Sequence, residues 1–355
     1  RRSSDLLKGM ETVQLVMQPV LVILILQQYP TAMAVAVAQT ILNVALTLAR
    51  IYYCFGVLHI TIKVHYWDWG LLADFRRLAL SVFAVSLIDQ VFWKTNQIIL
   101  GVVQGTGAVA VYSIAALIYM NYMALSTAIS GVYLPHITEL VAKRRPVQEL
   151  SDLFIQIGRW QYYLLALVAT GVIIFGRQFI QMWAGAGFSD AYVITLLIIL
   201  PFTIDLIQNI GLSILQAMNQ YGFRAKIYFL TGVLNLVMAV PLGIKFGGIG
   251  CAFATGVSML LGNGLIMNFF YSRYIGLDIK GFWRQIGRIT LIVVFCLAIG
   301  YGLNDFLTSN SKLIFVLKIL LYTVFYGGCI YCFVMNSSEK MKVGSFVGRI
   351  IRKTD

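Results

Sequence analysis

The sequence predicts an all-α membrane protein in which about ten hydrophobic helices cross a bilayer back and forth. Three observations carry that reading. Hydrophobic residues make up 59% of the 355 and charged residues only 12%, with a mean hydropathy of +0.83. Soluble domains carry roughly 25% charged residues, so a soluble fold of this length would have too few charges to cover its surface. A protein surrounded by lipid has no such need. Second, apolar runs of the roughly 20 residues that a spanning helix requires recur along the whole chain. Third, the segments between these runs alternate between basic and nearly uncharged, as loops on opposite sides of a membrane do.

The runs lie at 9–28, 31–55, 75–104, 107–136, 155–183, 188–218, 222–245, 248–274, 285–306 and 311–335. Several are longer than a bilayer requires and predict tilt or extension beyond it. Pro19 and Pro201 sit inside their runs, where a missing N–H predicts a kink or a break. Pro30, Pro135 and Pro241 fall nearer helix ends. The cluster Gly247-Gly248-Ile249-Gly250 reads as a tight turn between the seventh and eighth helices. No GxxxxGK[ST] motif occurs, and no outer loop is long enough for an extracellular catalytic domain.

Charge orients the chain. Of the 27 Lys and Arg, 22 fall on one set of loops and helix ends and four on the other, with Lys94 alone in mid-helix. The basic side is the cytoplasmic one, and an even helix count puts both termini there. The net charge of +13 is then explained by anionic lipid at the inner surface, with membrane lipids and not nucleic acid as the partner. The tail Val343–Lys353 carries both apolar and basic residues and suits an inner-surface amphipathic segment or a disordered basic tail. The chain starts with Arg, not Met, and no signal peptide precedes the first run. It therefore reads as a fragment of something longer or as a processed product. The five cysteines, Cys54, Cys251, Cys296, Cys329 and Cys332, all lie in or beside apolar runs. Cys329 and Cys332 have CxxC spacing with no second pair or His nearby, so small packing residues are expected and a metal site is not.

Candidate functional residues are the polar groups in hydrocarbon, because charge at that depth usually faces a cavity or a partner. At 100° per residue, Ser86, Gln90, Trp93, Lys94, Gln97 and Gly101 form one stripe on the third helix. Asp89 and Asn96 form a second line beside it. Asp89 and Lys94 lie roughly 140° apart around the helix, so each needs a separate partner or water. On the sixth run Asp205, Gln208, Asn209, Ser213 and Gln216 share a face below Pro201. Isolated amides at Asn43, Asn121, Asn235, Asn263 and Asn268 are better read as interhelical glue.

At these residues the sequence resembles polysaccharide flippases of the O-antigen and capsule type, within the multidrug/oligosaccharidyl-lipid/polysaccharide exporter superfamily. The resemblance rests on Ile88-Asp89-Gln90-Val91-Phe92-Trp93-Lys94-Thr95-Asn96-Gln97-Ile98-Ile99-Leu100-Gly101 with Val111-Tyr112-Ser113-Ile114. Ile207-Gln208-Asn209-Ile210-Gly211, Gln216-Ala217-Met218-Asn219 and Phe223-Arg224 extend it, as do Gly250–Gly256 and Met267–Tyr271. It implies two six-helix bundles related by a pseudo-twofold axis, of which this chain holds helices five to fourteen. The first bundle is then incomplete: 1–60 would be its last two helices, 61–280 a complete second bundle, 281–336 a final helix pair and 337–355 a basic cytoplasmic tail. One departure stands out, since the family often has Asp where Asn96 stands.

What the resemblance implies is a transporter, not an enzyme, in the bacterial inner membrane. It would move undecaprenyl-diphosphate-linked oligosaccharide by alternating access, beside polysaccharide assembly proteins. Lys94 would attract the diphosphate. Gln90, Trp93, Asn96, Gln97, Gln208 and Asn209 would line the sugar path, and Arg50, Arg76 and Arg77 would gather the head group at the inner mouth. Asp89 or Asp205 would carry a coupling H⁺ or Na⁺, and no other cofactor is expected. A multidrug or other lipid exporter of the same superfamily is the alternative, and a membrane polysaccharide polymerase or ligase a remoter one.

Overall fold

The computed structural model describes residues 14, 17–29, 31–57, 90, 92–218, 220–306, 311–341 and 344. Asp89, Arg76, Arg77, the predicted start of the third helix and the tail beyond 344 lie outside them. Two compact units divide at 78/79. The described residues are helical nearly throughout, with no β-strand. Seven continuous helical stretches among them are long and apolar enough to cross a membrane, and shorter apolar helices accompany these.

The first unit holds α1 (Met17–Gln28) and α2 (Ala32–Tyr52), the latter running on into one π-helical turn, Tyr53–Val57. Thr31 caps α2: its hydroxyl accepts the Ala34 N–H at 3.3 Å and satisfies one of the first-turn donors. Gln14 Nε2 donates to Asn43 Oδ1 at 3.0 Å, so Asn43 is interhelical glue, as its isolation predicts.

The second unit opens with α3 (92–103), followed by α4 (Thr106–Ala142) across a tight turn at Gly105, whose φ of +83° favours glycine. α4 buries Tyr112, Ala115, Tyr119, Tyr122, Ser126 and Ser130, a 3–4 spacing that gives one helix face. That face meets α5 (Val147–Trp183) and α6 (Asp190–Leu206) through a polar ladder. Tyr122 bonds Thr203 Oγ1 at 2.6 Å and donates to the Leu165 carbonyl. Gln161 Nε2 donates to Ser130 Oγ at 2.7 Å. In hydrocarbon each such polar atom needs an internal partner, and neighbouring helices supply them.

The run predicted at 188–218 is two helices. α6 stops at Leu206, residues 207–209 turn, and α7 covers Ile210–Ala217. The break falls about two turns beyond Pro201, where the kink was expected. Pro201 is accommodated because Gly256 leaves room beside the carbonyl it frees: a Cβ there would lie 2.6 Å from Leu197 O. At the break itself side chains add to the short backbone bonds of the turn. Ser126 donates to Leu206 O at 2.7 Å and Gln208 to Ile204 O at 2.8 Å.

α8 (Tyr221–Met259) folds back on itself at Gly247, where φ +60° and ψ −139° end one helix and begin another. The glycine cluster predicted as a turn is that turn. The two arms lie nearly in contact, and small residues permit it. A Cβ on Gly250 would overlap the Leu242 carbonyl, and one on Gly262 would overlap the Thr231 hydroxyl. Gly250→Ala is therefore expected to lower the stability of the detergent-solubilised protein by about 1–3 kcal/mol. Gly107→Ala, where a methyl meets nothing within 4 Å, is expected to leave the melting temperature unchanged or slightly raised.

Two π-helical stretches, Leu260–Ile266 and Tyr271–Ile275, close the second arm. Asn268 sits between them. Its amide donates to the Gly264 carbonyl and its oxygen accepts from Trp283 Nε1 at 3.1 Å, tying the arm to α9 (Ile279–Phe306). α9 packs on α5, with Phe282 filling the space beside Gly158 and Phe154. α10 (Lys312–Cys329) returns antiparallel, and Lys318, buried on it, donates to both oxygens of Asn304.

Candidate functional site

The described turns of α3 divide by exposure, with Asn96 on the buried side and the described members of the stripe on the uncovered side or its margin. Phe92, Asn96 and Leu100, four residues apart, are buried against the rest of the unit. Gln90, Lys94 and Gly101 are on the uncovered side, with Trp93 and Gln97 half-buried at its margin. Lys94 is exposed and makes no hydrogen bond or ion pair with any described residue. Gln97 lies 3.4 Å from Ser113 Oγ of α4.

Trp93 anchors the helix. Its ring stacks on Tyr119 at 5.3 Å and leans on Phe202 at 5.5 Å, so it sets where α3 sits against α4 and α6. Asn96 does the same with polar atoms. Its Nδ2 reaches the Tyr112 hydroxyl at 2.8 Å and Thr255 Oγ1 at 2.7 Å, and Thr255 continues to Asn235 Oδ1 at 3.2 Å. Asn235 is thereby glue, as expected. Asn96 Oδ1 is buried with no partner among the described residues.

Gln208 and Asn209 occupy the turn between α6 and α7. Gln208 is buried, and its Oε1 also lacks a partner among the described residues. Asp205, half-buried one turn earlier, lies against the Asn263 amide with the Arg224 guanidinium in electrostatic reach. Arg50 stands in the last turn of α2, in the first unit. Asp89, Arg76 and Arg77 fall outside the described residues. No described hydrogen bond joins the α3 stripe to the α6–α7 turn.

The strongest polar cluster was not singled out in the sequence. Arg159 on α5 and Glu339, after α10, form a buried bidentate pair at 2.9 and 2.8 Å. Arg159 also donates to Gln285 Oε1 at 2.9 Å and to the Tyr163 hydroxyl at 2.7 Å. Burial raises the Glu339 carboxyl, but the Arg159 guanidinium and the Asn336 N–H outweigh it and hold the group below the usual carboxylate range. Its signal was the run Asn336-Ser337-Ser338-Glu339, which has capping-box spacing: Glu339 reaches back to the Asn336 N–H at 2.9 Å.

No family model matches the chain. Over 249 residues it is 24% identical to a probable low-salt glycan biosynthesis flippase of Haloferax volcanii, covering 70% of this chain and 51% of that protein. The solved structure of the lipid II flippase MurJ, in its inward closed conformation, superposes with a TM-score of 0.66. The chain has the MurJ fold. The match covers 86% of this chain and 63% of MurJ at 17% identity. The chain thus spans about half the length of the curated relative it matches, and somewhat more of MurJ.

Proposed function

We propose that this chain is part of a flippase that moves an undecaprenyl-diphosphate-linked oligosaccharide from the cytoplasmic to the periplasmic leaflet of a bacterial inner membrane. The observation that carries the reading is Lys94, an exposed cation on the uncovered side of α3 with no hydrogen bond or ion pair to any described residue. Such a residue costs several kcal/mol in hydrocarbon unless it meets water or an anion. A diphosphate is the anion such a lipid presents. Gln90 and Gln97 flank Lys94 with hydrogen-bonding groups suited to sugar hydroxyls, while the Asn96 and Gln208 oxygens, buried and without a partner among the described residues, are acceptors behind that face. Trp93, in this reading, positions the stripe. Asp205 beside Asn263 is the described residue that best suits a coupling H⁺ or Na⁺. An apolar groove of about 300 Å³ between α5 and α10, walled by Phe175, Phe315 and Tyr322, suits a hydrocarbon tail. The similarity to two proteins named as flippases supports the same reading.

Depleting the full-length protein in its native cell tests it. Lipid-linked repeat units are expected to accumulate on the inner leaflet, protected from an impermeant sugar oxidant. Single units accumulating on the outside would instead indicate a polymerase. Unchanged surface glycan with lost efflux of cationic dyes would indicate a drug exporter.

A further inference from the structure

A second basic site lies away from the α3 stripe, at the end of α9 remote from α10's start. A cavity of about 560 Å³ opens there, walled by Arg159, Arg284, Gln285, Arg288, Ile292 and Phe333 among others, and no carboxylate among the described residues lines it. Arg284 and Arg288 are one turn apart on one face of α9. Both are exposed and make no ion pair or hydrogen bond with any described residue. Arg159 is neutralised by Glu339, which lines a neighbouring cavity. It has another effect here. By donating to Gln285 Oε1 it fixes that amide and leaves the Gln285 NH₂ without an acceptor among the described residues. Among the described residues the cavity therefore presents two guanidinium groups without a counter-charge and an oriented amide donor, with a net positive charge.

Depth says what such a site meets. α9 has 28 residues, about 42 Å of helix against roughly 30 Å of hydrocarbon. Its apolar stretch begins at Ile289, so Arg284 and Arg288 stand at head-group level. Below them Ile292 and the exposed ring of Phe333 continue the wall into the apolar zone. We infer that this cavity binds a phosphate ester anion, supplied by the head group of an anionic phospholipid whose acyl chain runs along Ile292 and Phe333. Arginine forks suit phosphate oxygens in pairs. The site is independent of the transport path proposed above, since Lys94 takes no part in it.

The test uses the full-length protein in neutral detergent, titrated with short-chain phosphatidylglycerol, with phosphatidylcholine of the same chain length, and with inorganic phosphate. Binding is read by native mass spectrometry and by the rise in melting temperature. Phosphatidylglycerol is expected to bind in preference to phosphatidylcholine. R284Q/R288Q is expected to weaken it roughly tenfold to thirtyfold, at about a factor of five per arginine near an anionic surface. R288Q alone should give part of that loss. Inorganic phosphate that fails to displace the lipid identifies the head group as the source. Displacement at submillimolar phosphate keeps the anion site but makes the free ion its ligand. Equal phosphatidylglycerol binding by the wild type and by R284Q/R288Q, both folded with the same lipid-free melting temperature, would overturn the inference.

Discussion

Lys94→Ala in the full-length protein is expected to lower glycan-lipid transport by roughly tenfold or more while leaving expression unchanged. The magnitude follows from losing one charged hydrogen-bond donor to a diphosphate, worth about 1.5–3 kcal/mol. Expression should hold because Lys94 is exposed and contacts no described partner, so its removal opens no cavity and strands no buried group. Lys94→Arg keeps the charge and should retain much of the activity. Asn96→Ala is the informative contrast. It removes the link from α3 to Tyr112 and Thr255, so its loss should appear in melting temperature as well as in transport. Complementation of surface glycan, with protein level measured in the same cells, reads both outcomes. Wild-type complementation by Lys94→Ala would remove Lys94 from the mechanism.

Glu339→Ala is expected to destabilise the second unit by about 3–5 kcal/mol, because it leaves the buried Arg159 without its counter-charge. Replacing both partners, as in Arg159→Met with Glu339→Leu, should recover most of that stability, since the penalty comes from the stranded charge. The pair also has a pH signature. The folded state holds the Glu339 carboxyl below its usual range, so it favours the ionised form more than the unfolded chain does. That contribution is complete above an unfolded value of about 4.3 and is lost as pH falls through the lower folded value. Melting temperature measured from pH 7 down to pH 3 should therefore drop for the wild type, and this component should be absent in Glu339→Leu.

Much of the architecture was legible from hydropathy, and the reasons are physical. A bilayer forces each crossing to be one long apolar helix, so run length alone locates α2, α4, α5 and the arms of α8. Gly247 was legible because only glycine adopts that backbone readily. The α6–α7 break was less so. Proline advertises a lost hydrogen bond, but Gly256 absorbs the consequence at Pro201. The real break is sustained by Ser126 and Gln208, whose roles need tertiary contacts. The α3 stripe was legible as polar, yet helical angle alone could not say which members face inward. Trp93 packs, while Lys94 and Gln90 do not, and Asn96 on the neighbouring line is buried. Arg159 read as one more basic residue near a membrane surface. Its partner is 180 residues away, and no local pattern connects them.

The most direct measurement reconstitutes the purified full-length protein in vesicles with a lipid-diphosphate oligosaccharide in the inner leaflet, and follows the fraction that becomes accessible outside. Protein-dependent translocation that exceeds empty vesicles and collapses in Lys94→Ala is the expected result. Translocation no faster than in empty vesicles, with cationic dyes transported instead, would contradict the assignment.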